Sequence, residues 1–375
     1  MFVDVFYYVK MKILFILRTP VIGGVEQVVI KLAEEMSSKG HNAEILFLYE
    51  PTPSSSIFKT NIKYHQNTGN LYFNAFKNIH LLKNFDLIHN HTFGLTAIYV
   101  WLIAILSSTT LITTLHSSFN LKPIPLSINF KDGNRLFLLY KFMDRWFNFL
   151  GKKVIVVAPY IKTIILKTME IRGRKLEVIC NAVDSPKIKL PEIIHRNKNM
   201  VFIGRLSEEK NVDIIIKAWA EALSIVNDKS WKLLIYGDGK QRLYLEQLVS
   251  ELKISKQTLF MGYTHNIYEV LANAQIAISA SQYEGLPLSI LEYLNANLCC
   301  IASNIEAHQF LEINKWGVLV ETTDIIGYRD AIVELINDEN LRQQLSLKSQ
   351  KLIPNFNLDS FVNKHILLYL SLIKH

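Results

Sequence analysis

The chain has 375 residues, 50% of them hydrophobic and 20% charged, with a formal net charge of +8. That length suits about two domains of ~100–200 residues, and the apolar share is far above that of a disordered chain. Three cysteines, Cys180, Cys299 and Cys300, show no framework spacing, which argues against a disulfide scaffold and points to a reducing, cytoplasmic compartment.

Residues 1–10 carry an acid early and no small-residue cleavage site, so they read as an extension or a misassigned start rather than an export signal. Lys12–Leu17 predicts a strand. Gly23-Gly24 follows as a tight turn, where the lack of a side chain also lets the backbone approach a ligand. A helix runs from about Val25 to Lys39, and Gly40 suits the left-handed residue past its end. Ala43–Tyr49 is the next strand, and Pro51 to Ser56 is a loop. Leu95 to Leu106 is the longest apolar stretch. Its twelve residues fall short of the ~20 that a spanning helix needs, so it predicts a buried helix. Leu111–Leu115 predicts a strand that leaves His116 at its carboxyl edge. Lys131 to Lys153 mixes Lys131, Arg135, Lys141 and Arg145 with Phe137, Tyr140, Phe142 and Trp146. That pattern suits a helix packed on the sheet and one lying on an anionic membrane about equally. The basic excess sits in the first 195 residues. No nucleic-acid-binding motif accompanies it, so no nucleic-acid partner is expected. Val154–Val157 is a further strand.

Ser185 to Asn199, with Pro186, Pro191 and many charges, reads as an interdomain linker. A second alternating run follows, with strands at Met200–Ile203, Trp231–Tyr236, Thr258–Met261, Ile276–Ser279 and Leu298–Ala302. Asn357 to Lys374 predicts a closing helix. Alternation of strands with helices argues for parallel sheets wrapped on both faces, hence an α/β fold. The expected domains are residues 1–190 and 191–356, with a tail at 357–375.

The richest stretch is Ser281-Gln-Tyr-Glu-Gly-Leu-Pro-Leu-Ser-Ile-Leu-Glu292. Proline fits the first turn of a helix, so Glu284 and Gly285 read as loop and Pro287 onward as helix. Amides from about Leu286 to Ser289, spanning Leu286, Pro287 and Leu288, then form an anion-binding helix start. Eight residues of helix would part Glu284 from Glu292 by about 12 Å. Paired glycosidase carboxylates lie roughly 5–9.5 Å apart. Two acids spread along one bound molecule fit better, one on a sugar and one on a ribose, although alone the pair would read as surface acids.

Upstream, Val201-Phe-Ile-Gly-Arg-Leu-Ser-Glu-Glu-Lys-Asn211 ends a strand at Gly204 and puts Arg205 and Lys210 in the following loop. A diphosphate needs such cations, Arg as a fork and Lys as a point charge, and the carboxyl end of a strand is where they act. As lone residues both would be ordinary solvated charges. Gly237-Asp238-Gly239-Lys240 also follows a strand but matches neither the dinucleotide fingerprint nor a P-loop, so it shapes an edge. His89 and His91, joined by His116, have the ligand count of a catalytic zinc. The plainer reading, core or loop histidines, is preferred, and no metal is expected.

Gly204-Arg205-Leu206 with Lys210, then Glu284 to Glu292, resembles the retaining, nucleotide-sugar-dependent glycosyltransferases of family 4. The resemblance extends from about Lys12 to Trp316. Gly23-Gly24-Val25-Glu26, Phe85 to His91, Thr113 to His116 and Val178 to Asp184 appear in the family's order. It implies a GT-B fold, two Rossmann-like doubly wound domains facing each other across a cleft. Residues 1–190 would bind acceptor, 191–356 would bind the nucleotide sugar, and 357–375 would return to the first domain. His116 and Glu284 would contact and organise the transferred sugar. Arg205 and Lys210 would hold the diphosphate, with Gly23, Gly24, Gly285, Leu286, Pro287 and Leu288 lining the donor. Glu292 would accept from the ribose. The resemblance also implies retention of configuration and a UDP-sugar by default. It implies no cofactor or metal, in keeping with the absence of an Asp-x-Asp pair. The acceptor would be a glycan or lipid-linked sugar of surface polysaccharide synthesis, with peripheral contact to an anionic membrane. A nucleotide-sugar epimerase of the same architecture and a non-catalytic partner are the alternatives. Asn297 stands where the family has Gly, Phe310 where it has Glu, and Ala158-Pro159 where a Ser is common.

Overall fold

A computed structural model describes residues 9–21, 23–51, 60–116, 151–168, 173–349 and 356–373. Contacts divide the chain into two units, Met1–Asn181 with Leu358–His375, and Ala182–Asn357. The first boundary falls ahead of 190–191, where linker composition placed it. The reason is that Ser185 to Asn199 is not a free linker. Ile193 belongs to the core of the second unit. The guanidinium of Arg196 is buried and donates to the carbonyls of Pro191, at 3.0 and 2.9 Å, and of Leu271, at 3.3 Å. A buried charge holds its place when its donors are matched this way.

The first unit is built on a seven-stranded parallel sheet. Its strands are β1 (Lys12–Leu17), β2 (Asn42–Phe47), β3 (Tyr64–Gln66), β4 (Leu87–Asn90), β5 (Thr110–Leu115), β6 (Lys153–Val156) and β7 (Leu176–Val178). The order is β3-β2-β1-β4-β5-β6-β7. In β1 every residue after Lys12 is buried, as a strand covered on both faces requires. The helix Gly24–Ser38 buries Val28, Val29, Leu32, Ala33 and Met36, a three-and-four spacing that forms one stripe. It ends as expected at Gly40, φ 88°, with amides 40 and 41 bonded to the carbonyls of Ser37 and Met36 at 3.0 and 3.1 Å. These paired bonds satisfy carbonyls that the last turn leaves open.

The helix Leu95–Ser107 corrects one expectation. It buries Val100, Ile103 and Ala104, yet Leu95, Leu102, Ile105 and Leu106 are exposed. An all-apolar run hides which face meets the core. The closing helix Leu358–Ile373 buries Phe361, Val362, His365, Ile366, Tyr369 and Leu370 within the first unit.

The second unit carries a six-stranded parallel sheet. It comprises β8 (Asn199–Ile203), β9 (Lys232–Tyr236), β10 (Thr258–Gly262), β11 (Ile276–Ser279), β12 (Cys299–Ser303) and β13 (Gly317–Val320), in the order β10-β9-β8-β11-β12-β13. Cys299 and Cys300 are buried within β12, as small apolar residues would be. The helix Leu288–Asn295 stops at Asn297, φ 55°, with amides 297 and 298 bonded to the carbonyls of Leu294 and Tyr293, both at 3.0 Å. Asparagine therefore fills the left-handed position that glycine usually takes. Both sheets reverse their order once, at β1/β4 and at β8/β11. In open α/β sheets ligands bind beyond the carboxyl ends of the strands at such a reversal.

Candidate donor-binding site

The second unit's reversal brings two loops together. One follows β8 and carries Arg205 and Lys210; the other follows β11 and carries Ser281 and Glu284. The first loop is braced from β9. Gly204 N–H donates to Tyr236 O at 3.0 Å, Leu206 N–H to Asp238 O at 2.9 Å, and Gln241 N–H to Leu206 O at 3.1 Å. A Cβ on Gly237, φ +125°, would sit 1.9 Å from Gly204 O, and one on Gly239 would sit 2.3 Å from Leu206 O. These two glycines let the strands' loops touch, which explains the Gly-Asp-Gly run. Tyr293, on the helix Leu288–Asn295, accepts from Ile203 N–H at 2.8 Å and ties that helix to the end of β8.

Two bonds clamp the second loop to the first. Gln282 N–H donates to Glu209 O at 2.8 Å, and Gln282 Nε2 donates to Asn211 Oδ1 at 2.9 Å. Asn211 holds a left-handed conformation, φ 48°, at the turn into the helix Val212–Ile225. The clamp sets Lys210 Nζ donating to Glu284 Oε1, and Ser281 Oγ donates to the same oxygen at 2.8 Å. Burial acts to raise the Glu284 carboxyl, but the Lys210 charge and hydrogen bond, with His308 and Ser281, outweigh it and hold the carboxyl below its ordinary range. Glu284 is therefore a carboxylate at neutral pH. Arg205 is exposed and makes no ion pair among the described residues. The structure thus joins Lys210 to Glu284 directly and leaves Arg205 apart from the pair.

The helix Leu288–Asn295 starts one residue later than expected, with Pro287 as its extended N-cap at φ −71°, ψ 121°. The first internal bond runs from Leu291 N–H to Pro287 O at 3.3 Å, so the amides of Leu288 to Ile290 precede it. Glu292 lies one turn in. Burial, and then the negative charge of Asp184, push its carboxyl up to about 8. Asp184 is held by its own carbonyl, which accepts from Tyr268 Oη and, at 2.9 Å, from Asn295 Nδ2.

In the first unit, Gly23 is the extended N-cap of the helix Gly24–Ser38, the helix that follows β1. His91 follows β4 and His116 follows β5. His91 Nδ1 and His116 Nε2 are 2.8 Å apart. His89 spends both ring nitrogens on the protein, Nδ1 against Tyr369 Oη and Nε2 against Thr114 Oγ1, each at 2.6 Å. Two nitrogens on one tetrahedral zinc would lie about 3.3 Å apart, given Zn–N of ~2.0–2.1 Å. His91 and His116 are therefore hydrogen-bonded to each other, His89 is committed to Tyr369 and Thr114, and the three rings do not converge as ligands. No group of three His, Cys, Asp or Glu among the described residues is arranged to hold a metal ion. Burial, and then the neighbouring His365, lower His116 to about 3, so its ring is neutral.

Several contributors escaped sequence reasoning. Ser281 lies three residues before Glu284, and Tyr293 one after Glu292. His308, fully buried, donates from Nδ1 to Ser303 O at 2.7 Å and is lowered to about 4, chiefly by burial. No spacing signal marks it. The basic segment 131–153 lies outside the described residues except for its last three.

The model of Glycosyltransferase Family 4 matches residues 22–186, and that of Glycosyl transferases group 1 matches residues 186–352. The chain belongs to the family 4 glycosyltransferases. Its fold is GT-B, two Rossmann-like parallel α/β units. This glycosyltransferase is 22% identical to the N-acetyl-alpha-D-glucosaminyl L-malate synthase of Bacillus anthracis, over 95% of this chain and 96% of that one. It is 27% identical to the UDP-Gal:alpha-D-GlcNAc-diphosphoundecaprenol alpha-1,3-galactosyltransferase of Escherichia coli, over 63% of this chain and 64% of that one. Among solved structures, Anabaena HepE in complex with UDP and glucose superposes with a TM-score of 0.75 at 19% identity, covering 96% of this chain and 99% of that one.

Proposed function

We propose that this glycosyltransferase moves a sugar, with retention of configuration and without metal, from a UDP-sugar to a glycan or lipid-linked acceptor of surface polysaccharide or lipopolysaccharide synthesis. The observation that carries the reading is the Lys210–Glu284 pair at the β8/β11 reversal, beside the start of the helix Leu288–Asn295. An ammonium has three donors, so Lys210 can hold Glu284 and a phosphate oxygen together. Arg205 and the amides of the helix start add positive potential where the diphosphate departs, and that preorganised charge stands in for a metal ion. Gly285, Leu286, Pro287 and Leu288 wall the donor. Glu284 orients the transferred sugar and Glu292 accepts from the ribose.

In the first unit Gly23 and Gly24 offer open backbone and His116 contacts the sugar, the role that the family resemblance implies. As the bond from the anomeric carbon to the diphosphate oxygen breaks, the acceptor oxygen bonds to that carbon from the same face. The departing phosphate lies beside the incoming hydroxyl and takes its proton. The named relatives are transferases, and the Escherichia coli protein's name specifies a diphosphoundecaprenol acceptor. These names favour transfer over epimerisation. The intact ion pair argues against a non-catalytic partner.

Melting with and without UDP in a chelator tests the site. Wild type gains stability from UDP, and Lys210→Ala loses that gain. An unchanged gain removes Lys210 from the site. The anomeric coupling constant of the product tests retention. We place the enzyme at the cytoplasmic face of a membrane. No helix of the described residues is long and apolar enough to cross one. Tyr72, Phe73 and Phe76, 78%, 87% and 84% exposed beside Lys77, favour peripheral contact instead. Cosedimentation with phosphatidylglycerol vesicles should fall for Phe73→Ser with Phe76→Ser.

A further inference from the structure

We infer that His91 is a positioning residue. It locks His116 into the tautomer that carries its hydrogen on Nδ1, so that His116 presents a neutral N–H donor at the carboxyl edge of β5. The inference rests on the reading of His116 as a sugar contact.

The argument begins from one hydrogen shared by two rings. His91 Nδ1 and His116 Nε2 are 2.8 Å apart, a hydrogen-bond distance, so one nitrogen carries the hydrogen and the other accepts it. His91 Nε2 is buried and has no hydrogen-bond partner among the described residues. If His116 Nε2 donated, His91 would have to carry its own hydrogen on Nε2, leaving an orphaned N–H in the interior. If His91 Nδ1 donates, Nε2 keeps only a lone pair. Orphaned buried N–H groups are rarer than under-used acceptors, because the donor loses a full hydrogen bond to water. The second arrangement is favoured. His116 Nε2 is then the acceptor, and its hydrogen sits on Nδ1.

A third arrangement, with one ring protonated at both nitrogens, is disfavoured by the surroundings. Burial is the largest influence on each ring and lowers both, His116 to about 3. The rings of His89 and His365 add to this rather than oppose it.

The lock is rigid because its base is rigid. The His89 ring lies over His91 with centroids 3.9 Å apart, and Phe15 flanks His91 at 6.0 Å. His89 in turn is held at both nitrogens by Tyr369 and Thr114. His91 therefore cannot rotate to exchange its nitrogens without disturbing β4, β5 and the closing helix. A fixed neutral N–H favours an oxygen that gains negative charge, and it needs no protonation change to do so.

The test uses the full chain labelled with 15N-histidine and long-range 1H–15N correlation spectra, with His116 assigned by its loss in His116→Gln. Wild type should show His116 with a protonated-type Nδ1 and an unprotonated-type Nε2 between about pH 6 and 8. The reverse pattern overturns the inference. In His91→Phe, His116 should become a mixture of tautomers. Turnover should drop about 10- to 100-fold while the KM for UDP-sugar stays within about twofold. His91→Asn, whose amide can donate to His116 Nε2, should restore the pattern and most of the turnover. An unchanged His116 tautomer in His91→Phe would show that His91 only packs. Full turnover in His116→Ala would instead sink the sugar-contact reading, and the spectra would still decide what His91 does.

Discussion

Glu292 offers the sharpest quantitative test, because its carboxyl sits at about 8 in the unliganded protein. At pH 7.5 about three-quarters of the molecules then carry a proton there. Ribose hydroxyls donating to the carboxylate would return it toward its ordinary range, so UDP binding must expel that proton. Isothermal titration in buffers of different ionisation enthalpy counts it. Wild type should release about three-quarters of a proton more than Glu292→Gln, whose amide cannot titrate. The affinity of wild type should also rise about tenfold from pH 7 to pH 9, a change of ~1.4 kcal/mol, and level off above that. Glu292→Gln should lack this rise. Comparing the two proteins removes any titration of the nucleotide itself. Equal proton counts in both, or proton uptake, would refute the assignment of Glu292 to the ribose.

The same carboxyl should mark the stability of the free protein. Its folded value is raised, so its favourable contribution is complete below about 4.5 and is lost as the pH climbs through about 8. Urea unfolding should show wild type weakening from pH 6 to pH 9, and Glu292→Gln weakening less. Gly237→Ala should destabilise by about 3 kcal/mol or more, since its Cβ would fall 1.9 Å from Gly204 O on a backbone of φ +125°; a melting temperature within a degree of wild type would contradict this. Tyr293→Phe leaves Ile203 N–H without its acceptor and should cost about 1–3 kcal/mol in urea titrations, with a higher KM for donor as the Arg205 loop loosens.

Much of the fold was legible because its signals repeat. Apolar runs such as Ile276–Ser279 and Met200–Ile203 alternate with helical stripes, and turn residues such as Gly40, Gly204 and Asn297 punctuate them. Gly40 and Asn297 were readable as helix ends because only a few residue types accept a left-handed backbone, and both are left-handed in the structure. The strands β3, β7 and β13 did not stand out, because β3 (Tyr64–Gln66) and β7 (Leu176–Val178) are three residues long with polar members and β13 opens on Gly317. The linker reading of Ser185 to Asn199 failed for a related reason. Composition registers the charge of Arg196 but not the three carbonyls, those of Pro191, Leu271 and Ala274, that receive it.

The site divides along the same line. Glu284 and Lys210 could each be singled out, because strand ends and a Pro-led helix start are local patterns. Their pairing could not, because it depends on β8 and β11 being neighbours despite the strands and helices between them in sequence. The strand order decides which loops meet, and the loops decide which charges pair. This explains why His308 was invisible. Its ring is aligned by Ser303, at the end of β12, and its lowered titration arises from depth rather than from any neighbour in sequence. Residues that act through the topology of a sheet leave no spacing to read. At this reversal Ser281 holds Glu284 directly, and Tyr293 ties the helix that carries Glu292 to the end of β8.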